Sequence, residues 1–271
     1  MIRIETLTCG YGDKIVLSGV NLEIAKGEFV GIIGPNGSGK TTLLKAMTRL
    51  IKPVKGKIYL DGKDMRVLDY KGMARRIAVV SQTLPVVAMT VREFVLLGRV
   101  PYYKNLQFFE SEADRKIVEN AMAMTDIARL EQSYLSEMSG GEVQLAFIAR
   151  ALAQEPSLLL LDEPTAHLDI THQVAILDLI RRLNRQKGLT VVIVLHDLNL
   201  ASEYCDRLVL MDGGRVKSRG TPGEVLNYRD IEEVYKTPVV VGMNPISSKP
   251  MVMIVSEEVK QKAAAREDSS R

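Results

Sequence analysis

The apolar run Phe29 to Ile33 leads directly into Gly34-Pro35-Asn36-Gly37-Ser38-Gly39-Lys40-Thr41-Thr42, and a helical pattern follows. This is the full G-x-x-x-x-G-K-[ST] pattern in a strand-turn-helix setting. Glycines let the backbone curl so that several N–H groups face one anion, and the following helix adds its positive dipole end. Gly34 through Thr42 therefore form a candidate cradle for the phosphates of a nucleotide. Lys40 is placed to reach the β- and γ-phosphates. At ~4 Å and an effective dielectric of ~20, one such charge pair is worth about 4 kcal/mol. The Thr41 hydroxyl is placed to ligate Mg²⁺. The loop alone leaves the use of the nucleotide open, since kinases, GTPases, helicases and transport ATPases share it.

The rest of the chain sets the frame for that loop. The 271 residues are 46% hydrophobic and 25% charged, which fits an ordinary globular protein and excludes a disordered chain or a rod. The net charge of +3 is too small to argue for nucleic acid as a main partner. The longest apolar runs, such as Val191 to Leu195, are far short of a bilayer span. The start has no secretory pattern, and Cys9 and Cys205 are too few for a disulfide framework or a zinc site. A reducing, cytosolic compartment is the expectation.

Strand-like runs alternate with helical patterns, so the expected fold is α/β with a mainly parallel sheet. Ile2 and Ile4, then Val20, Leu22 and Ile24, alternate with polar residues and predict antiparallel, half-exposed strands. Phe29 to Ile33, Ile77 to Val80, Leu158 to Leu161 and Val191 to Leu195 read as strands covered on both faces. Helices are predicted over Thr41 to Ile51, Glu112 to Thr125, Ser139 to Ala153 and Asp169 to Lys187. Arg181, Arg182, Arg185 and Lys187 fit the negative end of the last of these. Residues 84–157 read as a helical insertion between two halves of the sheet. Leu208 to Met211 and Arg215 to Ser218 read as strands about a turn at Asp212-Gly213-Gly214-Arg215. Val239 to Val241 and Met251 to Val255 look strand-like, and the tail from 257 is expected to fray.

Further polar groups are predicted at the same sheet edge. In open parallel sheets, ligands sit beyond the carboxyl ends of the strands. The strand at Leu158 to Leu161 ends in Asp162 and Glu163. Asp162 is placed to reach Mg²⁺ through water, and Glu163 to polarise an attacking water. His196 follows the strand at Val191 to Leu195 and can hydrogen-bond a γ-phosphate or that water. Gln82 follows Ile77 to Val80, and its neutral amide can touch water and Mg²⁺. A separate helix opens with Ser139-Gly140-Gly141-Glu142, which has capping-box spacing and uncovered N–H groups. One compact nucleotide needs a single phosphate cradle, so a second one calls for a partner.

With these pieces in place, residues 1–240 resemble the ATP-binding cassette family. Gly34 to Thr42 is similar to the Walker A loop and Leu158 to Glu163 to the Walker B strand. Met138 to Glu142 resembles the family signature, Ala166-His167-Leu168-Asp169 the D-loop, Gln82 the Q-loop glutamine and His196 the switch histidine. Tyr11 sits where the family has an aromatic that stacks on adenine. The resemblance implies a P-loop NTPase core with an N-terminal antiparallel β subdomain, a helical insertion, a short segment at 241–256 and a tail at 257–271. It implies two copies pairing head to tail. Each ATP, with Mg²⁺, then lies between one chain's phosphate loop and the other's Ser139, Gly140, Gly141 and Glu142, with Asp169 nearby.

An integral membrane permease is the implied second partner, which places the chain at the cytoplasmic face of the cell membrane. Met138, Glu142 and Leu145 depart from the usual signature, and Ala166 and His167 from the usual D-loop. The segments His167 to Gln173, Leu97 to Tyr102, His196 to Ala201 and Gly220-Thr221-Pro222 resemble importers of metal chelates: ferric siderophores, haem or vitamin B12. Such importers also use a substrate-binding protein. An exporter ATPase, or a soluble cassette protein outside transport, is the alternative. The stretch Thr83 to Phe109, with Leu84, Val87, Phe94, Leu97, Tyr102 and Tyr103, is a candidate docking surface, and ordinary core packing accounts for it equally well.

Overall fold

The computed structural model describes residues 1–81, 88–103, 109–256 and 258–259. In chain order its elements are β1 (Ile2–Tyr11), β2 (Lys14–Ile24), β3 (Phe29–Ile33), α1 (Lys40–Met47), β4 (Lys55–Leu60), β5 (Lys63–Asp64), α2 (Tyr70–Ala74) and β6 (Ile77–Val80). Then come α3 (Val91–Leu96), α4 (Glu112–Met124), α5 (Gly140–Ala153), β7 (Leu158–Asp162), α6 (Ile170–Lys187), β8 (Thr190–Val194) and α7 (Leu198–Tyr204). The chain ends with β9 (Arg207–Asp212), β10 (Arg215–Gly220), α8 (Pro222–Val225), α9 (Tyr228–Tyr235), β11 (Val239–Met243) and β12 (Pro250–Ile254).

One sheet has the order β10-β9-β3-β8-β7-β6 and is parallel except for the β10 edge. Its central strands are buried at every position, which is why they read as unbroken apolar runs. Successive side chains point to opposite faces. Phe29, Leu159, Val191 and Leu208 enter a core shared with the helices α3 to α6, and Val30, Leu160, Val192 and Val209 enter a core shared with α1 and the antiparallel sheet. Each such residue contributes roughly 1.5–3 kcal/mol by leaving water. The second sheet, β2-β1-β4-β5, is antiparallel, as the alternation near the start predicts.

Three expectations change. The helix after the phosphate loop ends at Met47, not Ile51. The Lys45 carbonyl accepts from the N–H groups of Thr48, Leu50 and Ile51, and Arg49 turns left-handed at φ 61°. The first of the last two strands is longer than predicted and the second is shifted by one residue; they pair antiparallel from Val239↔Ile254 to Met243↔Pro250, so one strand runs across residue 240. The candidate docking set also divides. Phe94 is buried with its ring centroid 4.5 Å from that of Phe147, so it belongs to the core. Tyr102 lies under the Arg99 guanidinium and donates to the Gln154 carbonyl. Leu97 stays partly exposed and Tyr103 half-buried. Leu84, Val87 and Gln82 lie outside the described residues, as does the tail from 257 apart from 258–259.

Candidate nucleotide-binding site

The loop between β3 and α1 closes on itself. Ser38 N–H donates to the Pro35 carbonyl at 3.2 Å, and Gly39 caps α1 at φ 99°, a left-handed conformation suited to glycine. A Cβ on Gly39 would also sit 2.6 Å from Leu17 Cδ2. Lys40 opens α1 and is buried. Its Nζ donates to the carbonyls of Gly34 at 2.8 Å and Pro35 at 3.0 Å. Burial pushes its pKa down, and the charges of Glu163 and Asp162 oppose that shift. The ammonium is thus held at the loop, ready to exchange carbonyl partners for an anion. The Ser38 hydroxyl is buried without a hydrogen-bond partner among the described residues, an orphan that a phosphate oxygen would satisfy.

One residue on, Thr41 Oγ1 donates to Asp162 Oδ1 at 3.1 Å. Burial, then the neighbouring Glu163 charge, pushes the Asp162 carboxyl up. A buried carboxylate beside a hydroxyl is a poor pair by itself and a fitting one for a hard cation. Among the described residues no cluster of three or more His, Cys, Asp or Glu side chains could hold a metal unaided. Mg²⁺ is commonly bound by one or two protein oxygens plus substrate phosphates, which matches this donor set.

Strands β7 and β8 run side by side, with Asp162 opposite Val194. Their ends bring Glu163 and His196 together, Oε1 to Nε2, at 2.5 Å. Glu163 is in the left-handed region at φ 53°, which turns the chain sharply as it leaves the strand. Tyr11, at the end of β1, is about half exposed, and Lys45 Nζ lies 5.7 Å from its ring centroid. Tyr11, Gly37, Lys40, Thr41, Thr42 and Glu163 line one cleft of about 540 Å³. Lys45 was not expected here. It stands one turn beyond Thr41 on α1, and that i+4 spacing is the signal that could have found it.

Asn36 and Gly39 line that cleft too, whereas Ser139, Gly140, Gly141, Glu142 and Asp169 are absent from its lining. Ser139 caps α5 and exchanges hydrogen bonds with Glu142: Glu142 N–H donates to Ser139 Oγ at 3.3 Å, and Glu142 Oε2 accepts from Ser139 N–H at 3.1 Å. Asp169 caps α6, accepting from His172 N–H at 2.9 Å. The two caps are neighbours. Leu168 and His172 pack on Gly140 and Gly141, where added Cβ atoms would lie 3.7 Å and 2.4 Å from them. Among the described residues the glycine-rich loop with its carboxylates therefore stands apart from a second glycine-rich helix start.

Comparison with known proteins identifies the family. The ABC transporter family model matches residues 17–166. YvrA of Bacillus subtilis (strain 168), an ABC transporter ATP-binding protein, is 42% identical over 95% of this chain, which spans 58% of YvrA's length. The ferric enterobactin transport ATP-binding protein FepC of Escherichia coli (strain K12) is 40% identical over 93% of each chain. The fold matches that of an inward-facing metal-chelate type ABC transporter, with a TM-score of 0.83, 24% identity and coverage of 95% of this chain and 98% of the other. It also matches the dimeric bacterial cassette MJ0796, with a TM-score of 0.72, 33% identity and coverage of 82% and 99%. The chain belongs to the ABC transporter family and is one of its ATPases.

Proposed function

We propose that this chain is the ATP-hydrolysing subunit of an importer of metal chelates, acting as a head-to-tail pair beneath an integral membrane permease. The observation that carries the ATPase part is the convergence of Lys40, the Thr41–Asp162 pair and the Glu163–His196 pair at one sheet edge. The Gly34 to Thr42 loop holds the phosphates and Tyr11 stacks on the base. Thr41 and Asp162, with Gln82, would hold Mg²⁺, which supplies positive charge to the β- and γ-phosphate oxygens.

Glu163 is tied to His196. When the γ-phosphate arrives, His196 turns to donate to it, and Glu163 is released to accept a hydrogen bond from water. The water then attacks in line, its proton passes toward Glu163, and the P–O bond to the leaving ADP breaks. Ser139, Gly140 and Gly141 seal the nucleotide of the second copy, which explains why they stand outside the cleft of their own chain. Asp169 supports that face as the cap of α6.

The cargo reading rests on likeness to FepC. Residues 1–240 act as the ATPase unit, with 84–157 as the helical lobe facing the permease. No described helix is long and apolar enough to cross a membrane. In this reading the permease supplies the spans and the chain sits at the cytoplasmic face. A substrate-binding protein delivers the chelate from the other side. The test is ATP turnover by Glu163→Gln. Its rate should fall by about 10²–10⁴ while ATP binding persists. Equal loss of binding and turnover contradicts the role given to Glu163.

A further inference from the structure

The helix start at Ser139 carries a charge that an anion seat has to offset. Both oxygens of the Glu142 carboxylate are engaged. Oε2 accepts from Ser139 N–H at 3.1 Å and from Ser139 Oγ at 2.9 Å, and Oε1 accepts from Arg129 Nη2 at 2.7 Å. Ser139 N–H lowers the Glu142 pKa most, followed by the Ser139 hydroxyl and Arg129, so the group stays ionised at neutral pH.

A helix N-terminus is equivalent to roughly half a positive charge. One carboxylate in its first turn reverses the sign, leaving about half a negative charge to meet an incoming phosphate. The Arg129 guanidinium restores a positive balance. Arg129 comes from the short turn Ala128–Leu130 after α4, outside every motif read from the sequence. Its side chain is mostly exposed, so it contributes little to the fold as an ion pair.

We propose that Arg129 is a positioning residue that acts through Glu142: it keeps the Ser139-capped end of α5 net positive, so that this end can receive the triphosphate held by a second copy. This rests on the head-to-tail reading above. The nucleotide affected is the partner's, so ATP binding by a lone chain should be indifferent to Arg129.

The test uses sedimentation velocity with MgATP in the slowly hydrolysing Glu163→Gln chain, with a fluorescent ATP analogue reporting nucleotide affinity at low protein concentration. Adding Arg129→Ala should weaken the ATP-driven dimer by about tenfold, the scale of one close, partly screened charge. Adding Glu142→Gln alone keeps the cap and removes the negative charge, so the dimer should be no weaker than the parent. Combining Arg129→Ala with Glu142→Gln should return the dimer to within about threefold of the parent, because the charge that needed offsetting is gone. Monomer nucleotide affinity should stay within about twofold throughout. An Arg129→Ala dimer as tight as the parent overturns the proposal, and so does a loss that Glu142→Gln fails to restore. A Glu163→Gln parent that stays monomeric with ATP overturns the two-chain reading itself, and this inference with it.

Discussion

His196 Nε2 lies 2.5 Å from Glu163 Oε1, across the ends of two adjacent parallel strands. The contact joins the proposed water-activating carboxylate to the proposed γ-phosphate sensor. It gives His196 two states, one on Glu163 and one on phosphate. His196→Ala should therefore lower the maximal ATPase rate by at least about 10²-fold while nucleotide affinity changes by less than about threefold. Steady-state turnover alongside equilibrium binding checks this. A large loss of affinity at unchanged turnover would place His196 in binding instead.

Asp162 gives an expectation with a sign. Its carboxyl is pushed up, first by burial and then by Glu163. The folded chain thus holds that proton more tightly than the unfolded chain does. The stability gained is complete below the ordinary aspartate pKa and is lost as pH rises through the raised folded value. Ionised, this carboxylate is a buried charge that the Thr41 hydroxyl compensates only in part. Asp162→Asn keeps an acceptor for Thr41 and removes the charge. It should raise the ligand-free melting temperature by about 2–4 °C, as expected for a gain of about 1 kcal/mol in a chain of this size. The further stabilisation by MgATP should largely vanish. Thermal melts with and without MgATP at pH 7 and pH 4 measure both effects, and the gap between variant and parent should narrow at the lower pH.

Tyr11 is half exposed at the mouth of the cleft, so truncating it should barely disturb the fold. Stacking of a base on an aromatic ring is worth about 1–3 kcal/mol. Tyr11→Ala should weaken ATP binding by about tenfold or more, and Tyr11→Phe should retain most of the affinity. Binding of inorganic triphosphate, which has no base, should be unaffected by either change.

Arg99 tests the helical region. It is buried, with Nε 2.8 Å from Asp114 Oδ1 and Nη1 bonded to the Ala153 carbonyl at 2.7 Å and to Glu155 at 2.8 Å. Removing one partner of a buried ion pair leaves the other charge uncompensated, at a cost of about 3–5 kcal/mol. Arg99→Met should lose stability on that scale in urea unfolding. Adding Asp114→Asn should recover part of it.

The fold and the cleft were legible to different depths, for physical reasons. The strand-turn-helix around Gly34 to Thr42 could be read because its signal is local: one strand, one curled turn and one helix start in a fixed order. The parallel strands could be read because burial on both faces removes polar residues from them. The end of α1 could not, since Thr48, Arg49 and Leu50 close it through backbone bonds that carry no composition signal. The Glu163–His196 contact depends on which strands are neighbours, and the order β3-β8-β7 is not written in chain order. The Arg129–Glu142 pair joins residues on separate elements, and no spacing announces it. The burial of Phe94 turned on the position of Phe147, far along the chain.

The most direct test of the account is native mass spectrometry of Glu163→Gln with MgATP. If the cradle of one copy and the Ser139 helix of another enclose each nucleotide, the dominant species should be two chains with two ATP molecules, and replacing Lys40 by Ala should abolish it. A single chain retaining one tightly bound ATP, with no two-chain species at any concentration, would contradict the account.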